Sequence, residues 1–109
     1  VQWSMRFVET TIFSRVVSRL LDDDDYRSLQ IALMLRPEQG PVIRGSSGLR
    51  KVRWARPGAG KSSGLRIIYY WARSESAFYM LYAYPKNEQG DLTPAQARML
   101  GQLVREEFR

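Results

Sequence analysis

The spacing of apolar residues in the first third of the chain predicts a short strand followed by two helices. The strand is Arg6 to Glu9, and Thr10 or Thr11 stands where it can cap the first helix. The second helix is predicted from about Asp24 to Arg36, where Pro37 ends it. The helical spacing is carried by Ile12, Phe13, Val16, Val17, Leu20 and Leu21 in the first helix, and by Tyr26, Leu29, Ala32 and Leu33 in the second.

Four consecutive acids, Asp22 to Asp25, lie between the two predicted helices. Acids stabilise a helix N-terminus, where the macrodipole is positive, so the run favours capping of the second helix. Metal binding by the run is the weaker alternative, because adjacent carboxylates do not converge on one ion.

Three further strands are predicted after a turn-rich loop that spans residues 38–48. In the first of them, Leu49 to Ala55, Lys51 and Arg53 face one side of the sheet because strand side chains alternate. Val52 and Trp54 face the other side. The next two are the aromatic and β-branched runs Leu65 to Ala72 and Ala77 to Tyr84. Short connections make the three strands an antiparallel meander.

A helix is predicted at the C-terminus, since Thr93-Pro94-Ala95-Gln96 is a capping-box pattern with Pro at the first helical position. Its apolar stripe is Ala97, Leu100, Leu103, Val104 and Phe108. The element order indicates one α+β domain over residues 1–109, in which helices pack on a small antiparallel sheet. Residues 1–4, ahead of Met5, are either a cloning remnant or a native extension.

The composition excludes several classes of function. The chain has no His and no Cys, which disfavours a transition-metal site and leaves Lys, Arg, Tyr and carboxylates for any chemistry. We expect neither a metal nor another cofactor. No apolar run approaches the roughly 20 residues that span a bilayer, and no signal-peptide pattern is present. A cytoplasmic protein without membrane association is therefore expected.

Basic residues are concentrated in the middle of the chain. Nine bases and one acid lie between Pro41 and Lys86, in a chain of net charge +6. Eight aromatic residues are interleaved with them. This combination suits RNA, because cations bind phosphate and aromatic rings stack on unpaired bases. A merely solvated basic surface is the alternative.

Strand periodicity predicts that several of these cations form a cluster. Lys51 and Arg53 are two residues apart on one strand and face the same side. Arg66, near the start of the next strand, joins that face if the hairpin register allows it. Lys86 and Asn87 follow the third strand and can lean over the same surface. Such a cluster could hold a phosphate.

The Gly-rich segment GAGKSSG does not match a P-loop, because it precedes a strand and lacks the required spacing. Its Lys61 either contacts a backbone phosphate or is solvated. The aromatic residues divide into two groups. Burial preference predicts a core group of Trp54, Tyr69 and Trp71, and a second group of Tyr70, Tyr82 and Tyr84 is placed to share the basic face.

The segment GLRKVRWARPGAGKSSGLRIIYYW, followed by LYAYPKNEQGDLTPAQ, closely resembles the RelE/ParE toxin superfamily. Within it the chain is most similar to the HigB-type branch of RelE-like type II toxins. The resemblance covers nearly the whole domain and implies a small sheet with helices on one side. It also implies a function: a concave basic face enters the ribosomal A site and cleaves mRNA there, with the RNA's own 2′-OH as nucleophile and no metal.

The resemblance assigns roles to individual residues. Lys51 and Arg53 match the family's basic pair, Arg66 matches an arginine at the start of the next strand, and Lys86 matches a lysine after the third strand. These four are the predicted catalytic residues. Asn87 departs from the pattern, since some relatives carry an arginine there, and the C-terminal tyrosine of some relatives has no match. The further predicted RNA contacts are Arg50, Arg56, Lys61, Tyr70, Tyr84 and Asn87.

The resemblance also implies partners: an antitoxin with a helix-turn-helix domain, the ribosome with its mRNA, and operator DNA bound only by the toxin–antitoxin complex. Three rival interpretations stay open. In the first, the chain is a ParE-like poison of DNA gyrase. In the second it is a non-catalytic RNA-binding module, and in the third it is a domain whose basic face only docks an acidic protein. The dense cations at Lys51, Arg53 and Arg66 favour the RNA-cleaving branch.

Overall fold

A computed structural model describes residues 4–55 and 64–107 of the chain. The element bounds are close to those predicted from the sequence. In chain order they are β1 (Arg6–Glu9), α1 (Thr11–Leu20), α2 (Asp23–Leu35), β2 (Arg50–Trp54), β3 (Leu65–Ala72), a single 3₁₀ turn (Arg73–Glu75), β4 (Ala77–Pro85) and α3 (Pro94–Glu107). The predicted α+β class, with three helices and four strands, is confirmed for the described residues.

The four strands form one sheet in the order β1-β4-β3-β2. The meander β2-β3-β4 is antiparallel, as predicted. The prediction of a wholly antiparallel sheet is wrong, because β1 pairs in parallel with β4 through Arg6↔Ala77 and its three following pairs. Parallel neighbours need a long crossover connection. The two helices that follow β1 begin such a connection, which continues through β2 and β3.

Helices cover both faces of the sheet, not one face as the family resemblance implies. The first core lies between α1, α2 and the sheet, and the second lies between α3 and the opposite face. Alternation along the strands explains the division. The first core includes Phe13, Val17, Leu29, Leu33, Val52, Ile67, Tyr69, Phe78 and Met80, and the second includes Leu49, Ile68, Tyr79, Leu81, Leu100 and Val104.

The predicted core group of aromatic residues is confirmed. Tyr69 is fully buried in the first core. Trp54 and Trp71 are partly buried and pack against the same core. Trp71 also stacks on Phe78, with ring centroids 4.5 Å apart. These rings therefore stabilise the α1–α2 side of the sheet and are turned away from the basic face.

Side-chain caps begin α2 and α3, as the polar residues before each of them predicted. The Asp22 carboxylate accepts a hydrogen bond from the Asp25 N–H at 2.8 Å, which confirms capping by the acidic run. At α3 the Thr93 hydroxyl accepts from the Gln96 N–H at 3.1 Å, and the Gln96 side chain accepts from the Thr93 N–H at 3.0 Å. That reciprocal pair is the predicted capping box.

A bulge in β4 changes which of its side chains face α3. Ile68 pairs with Tyr82 but Tyr69 pairs with Met80, so Leu81 is an extra residue. The insertion reverses the alternation, and Tyr84 therefore faces the α3 side. The sequence pattern gave no sign of this register shift.

Thr10 holds the bulge in place. Its hydroxyl donates to the Leu81 carbonyl at 2.9 Å and accepts from the Phe13 N–H at 3.0 Å, which also caps α1. Its own N–H donates to the Met80 carbonyl at 3.0 Å. One residue thus joins the end of β1, the start of α1 and the irregular point of β4.

We expect Thr10→Ala to lower the free energy of unfolding by about 2 kcal/mol, since it removes a helix cap and leaves the Leu81 carbonyl without its hydroxyl donor. Urea unfolding measures the change. Thr10→Ser keeps both hydrogen bonds and should retain most of the stability. An equal loss in the serine variant would show that the methyl group matters and the hydroxyl does not.

Candidate nucleic-acid interface

A row of three side chains crosses the sheet on the face that α3 partly covers. Arg53 on β2 pairs directly with Arg66 on β3, and Arg66 pairs directly with Tyr84 on β4. Side chains that are directly opposite on one face have Cβ atoms about 5 Å apart. Two guanidinium groups therefore start from neighbouring positions, an arrangement that is unfavourable unless an anion joins them.

An open cleft of about 290 Å³ lies beside this row. Its lining includes Arg53, Arg66 and Lys86, together with Trp54, Ala55 and Gly64. The Lys86 N–H donates to the Gly64 carbonyl at 2.9 Å, which fixes the end of β4 against the start of β3. The structure thus brings three of the four predicted catalytic residues to one cleft.

Arg66 is buried although it carries a charge, with 6% of its surface exposed. Within residues 4–55 and 64–107 no carboxylate lies within ion-pair distance of its guanidinium. Arg53 beside it is exposed. A buried cation without a paired anion costs folding free energy, and positions of this kind often serve binding or catalysis.

Lys51 lies on the same face but lines a neighbouring cleft. That cleft has a volume of about 380 Å³ and is lined by Gln39, Gly40, Pro41, Lys51, Val52 and Arg53. The Lys51 ammonium donates to the Asp91 carboxylate at 2.7 Å. This hydrogen bond holds the pKa of Asp91 below its ordinary value. The fourth predicted catalytic residue is therefore paired with an internal anion.

Sequence reasoning missed Asp91. It lies in the segment between β4 and α3, 40 residues from Lys51 in the chain. Its carboxylate also accepts from the Leu92 N–H at 3.1 Å, and that contact gives the chain a defined path into α3. In the sequence, Asp91 is marked only by its position two residues before the Thr93 cap. Acids are common near helix N-termini, so this position does not predict a contact with Lys51.

The wall of the second cleft is held by buried hydrogen bonds from the sheet. The Tyr69 hydroxyl donates to the Pro37 carbonyl at 2.7 Å and accepts from the Gly40 N–H at 3.2 Å. A Cβ atom at position 40 would lie 2.8 Å from the Lys51 carbonyl oxygen, so only glycine allows this approach. The segment from Pro37 to Gly40 thus packs directly on β2.

Arg50 contributes to that wall and not to the basic face. It alternates with Lys51, so it faces the α1–α2 side of the sheet. Its guanidinium donates to the Gly40 carbonyl at 2.8 Å and the Glu38 carbonyl at 3.1 Å, and it pairs with the Glu38 carboxylate at 3.4 Å. The structure places this predicted RNA contact away from the cleft and gives it a local structural role.

Tyr84 shares the row with Arg66, but its ring is closed off from solvent. It is 2% exposed, which leaves no free face for a base to stack on. Its buried hydroxyl has no hydrogen-bond partner at ordinary distance within the described part of the chain. Burial raises the pKa of this phenol, and the nearby Asp91 carboxylate adds to the effect. Tyr84 therefore lies under the basic face as a packing residue.

The remaining predicted RNA contacts have different positions. Asn87 is exposed and directly follows Lys86, which lines the first cleft. Tyr70 is half-buried and packs near Tyr79, with ring centroids 6.5 Å apart. Arg56 and Lys61 lie outside the described residues.

The site therefore offers fixed cations and little else. Across residues 4–55 and 64–107, no group of three or more acidic side chains is arranged to hold a metal ion. No helix in these ranges is long and apolar enough to cross a membrane. Several cations that converge on an open cleft can bind a phosphate and stabilise negative charge that develops on it.

A sequence model of the RelE toxin of the RelE/RelB toxin–antitoxin system matches residues 5–108. Among solved structures, the intact E. coli RelBE toxin–antitoxin complex has a chain 14% identical with a TM-score of 0.56, over 75% of this chain and 96% of that one. A free double arginine-to-alanine mutant of E. coli toxin RelE is 12% identical with a TM-score of 0.56, over 80% and 88%. At these identities the two structures show a shared fold.

We expect Lys51→Met to raise the pKa of Asp91 toward its ordinary value of 3.8, because the variant removes the main stabiliser of the carboxylate. In the wild type the folded-state pKa is depressed. The pair's contribution to stability is thus full above pH about 4 and is lost as the pH falls through the folded-state pKa. An NMR titration of the Asp91 carboxyl carbon measures the pKa. Lys86→Met, which removes a cation from the same face, should leave it nearly unchanged.

Proposed function

Since the chain belongs to the RelE toxin family, we propose that it is an mRNA endoribonuclease that inhibits translation. The observation that carries the proposal is the burial of Arg66, which makes no ion pair within residues 4–55 and 64–107, in a cleft that Arg53 and Lys86 also line. A buried cation that makes no ion pair with the described part of the chain fits a site whose anion arrives with the substrate. A scissile phosphate is such an anion.

The proposed reaction uses the 2′-OH of the RNA as the nucleophile. Its oxygen forms a bond to phosphorus while the bond to the 5′-oxygen of the next nucleotide breaks. The 2′-OH loses its proton and the leaving 5′-oxygen gains one, so a 2′,3′-cyclic phosphate and a 5′-OH end result. Negative charge grows on the phosphoryl oxygens and on the leaving oxygen during this exchange.

The cleft residues fit separate parts of that charge. Arg66 is fixed by its strand and by burial, so its guanidinium needs little reorganisation to stabilise the phosphoryl oxygens. Arg53 is exposed opposite it and can draw the RNA backbone into the cleft. Lys86, at the end of β4, completes the clamp on the side of the leaving oxygen.

Partners follow from the same family membership. The E. coli RelBE structure is that of a toxin–antitoxin complex, and we propose that this chain also pairs with an antitoxin. A HigB-type assignment would give that antitoxin a helix-turn-helix domain and would make the complex a repressor of its own operon. The substrate on this proposal is mRNA in the ribosomal A site.

We expect the wild type to cut mRNA within codons in a purified translation reaction, and Arg66→Met to cut at least 100-fold more slowly, as on loss of one donor to a developing oxyanion. Primer extension maps the 5′ ends. The variant should unfold at no lower urea concentration than the wild type, because it removes a buried cation that faces Arg53.

Arg27→Met is the matched control for that experiment, since Arg27 is an exposed arginine of α2 on the other side of the sheet. It should cut as the wild type does. Intact mRNA with undisturbed translation would contradict the proposal, and a DNA supercoiling assay would then test gyrase poisoning. Equal cleavage by wild type and Arg66→Met would remove Arg66 from the reaction.

A further inference from the structure

The basic face consists of two separate clefts that share one residue. Arg53 lines both, Arg66 and Lys86 line only the first, and Lys51 lines only the second. Lys51 and Arg53 are two residues apart on one strand, a separation of about 7 Å. Neighbouring phosphates of an extended RNA strand are spaced similarly, so one strand can lie along β2 with a phosphate in each cleft.

The ammonium group of Lys51, which lines the second cleft, is already bound to an acid of the protein. The chain leaves β4 at Pro85 and reaches Lys51 on β2 through Asp91. Because β3 lies between β4 and β2 in the sheet, this segment passes over the strand that carries Arg66. We call residues 86–91 the strap. The hydrogen bond between Lys51 and Asp91 attaches its far end to β2, on the other side of the basic face.

A carboxylate oxygen and a phosphodiester oxygen offer the same chemistry to an ammonium group. Each is an anionic acceptor of a short, charge-assisted hydrogen bond. We propose that Lys51 is a second phosphate subsite, distinct from the Arg66 cleft, and that the Asp91 carboxylate fills it until an RNA phosphate displaces it. The nature of the polyanion rests on the proposed function, whereas the exchange of anions at Lys51 does not.

The exposure of the pair makes such an exchange inexpensive. The Asp91 side chain is 72% exposed and that of Lys51 is 24% exposed. Solvent screens an ion pair of this kind, so breaking it changes an equilibrium by only a few fold. After displacement, Asp91 returns to water and no longer fastens the strap above β3. An RNA phosphate at Lys51 would therefore also ease access to Arg66, which is 6% exposed while the pair is closed.

The test measures binding of a short 2′-O-methyl RNA oligonucleotide, which has no free 2′-OH and is not cleaved. Fluorescence anisotropy gives the affinity. Asp91→Asn removes the competing charge and should strengthen binding about two- to five-fold beyond its control. Glu88→Gln is that control, because it removes one acid from the same segment and Glu88 makes no ion pair within the described ranges.

A double-mutant comparison assigns the effect to the subsite. In a Lys51→Met background, Asp91→Asn should change the affinity no more than Glu88→Gln does. Equal effects of Asp91→Asn and Glu88→Gln in the wild-type background would overturn the proposal. Weaker binding by Asp91→Asn would also overturn it, as would the absence of binding by every variant.

Cleavage measured in parallel separates this subsite from the proposed function. If the wild type cuts mRNA during translation and Asp91→Asn shows no gain in binding, the subsite is refuted and the function stands. If Asp91→Asn shows the gain and no variant cuts mRNA, the subsite stands and the endoribonuclease assignment is refuted.

Discussion

The register shift at Leu81 is the constraint on which the basic face depends. Without the extra residue, strict alternation would place position 83 on the α3 side and would turn Tyr84 toward α1 and α2. The bulge instead puts Tyr84 directly opposite Arg66, and both side chains are nearly closed to solvent. Thr10 secures this arrangement from outside the meander, since its hydroxyl binds the carbonyl of the inserted residue.

The cations of the basic face lower the stability of the fold and at the same time favour the binding of an anion. Arg53 and Arg66 face each other across β2 and β3, and Arg66 is nearly closed to solvent. Like charges directly opposite on a sheet destabilise it. The two apolar cores offset this cost, with Tyr69 and Phe13 among the fully buried side chains. The fold thus keeps two arginines side by side despite their mutual repulsion. This arrangement suits a negatively charged ligand.

Strand alternation and helix-capping patterns in the sequence were enough to predict most of the elements of the fold and part of the candidate site. Alternation in β2 placed Lys51 and Arg53 together, and the Thr93 capping box fixed the start of α3. The parallel pairing of β1, the bulge and the Asp91 contact depend on residues that meet only in three dimensions. Arg50 shows the limit within a single strand, because its charge resembled that of its neighbours while its side chain faces the opposite way.

The parallel pairing of β1 with β4 also limits the order in which the strands can assemble during folding. Thr10 and Leu81 are 71 positions apart, so their contact closes a loop of most of the domain. Contacts between distant positions slow folding, because the entropy of the loop is lost before the contact forms. During synthesis the first strand has no neighbour until β4 has left the ribosome. The basic face therefore assembles late within this domain, after β1, β2 and β3 have already been translated.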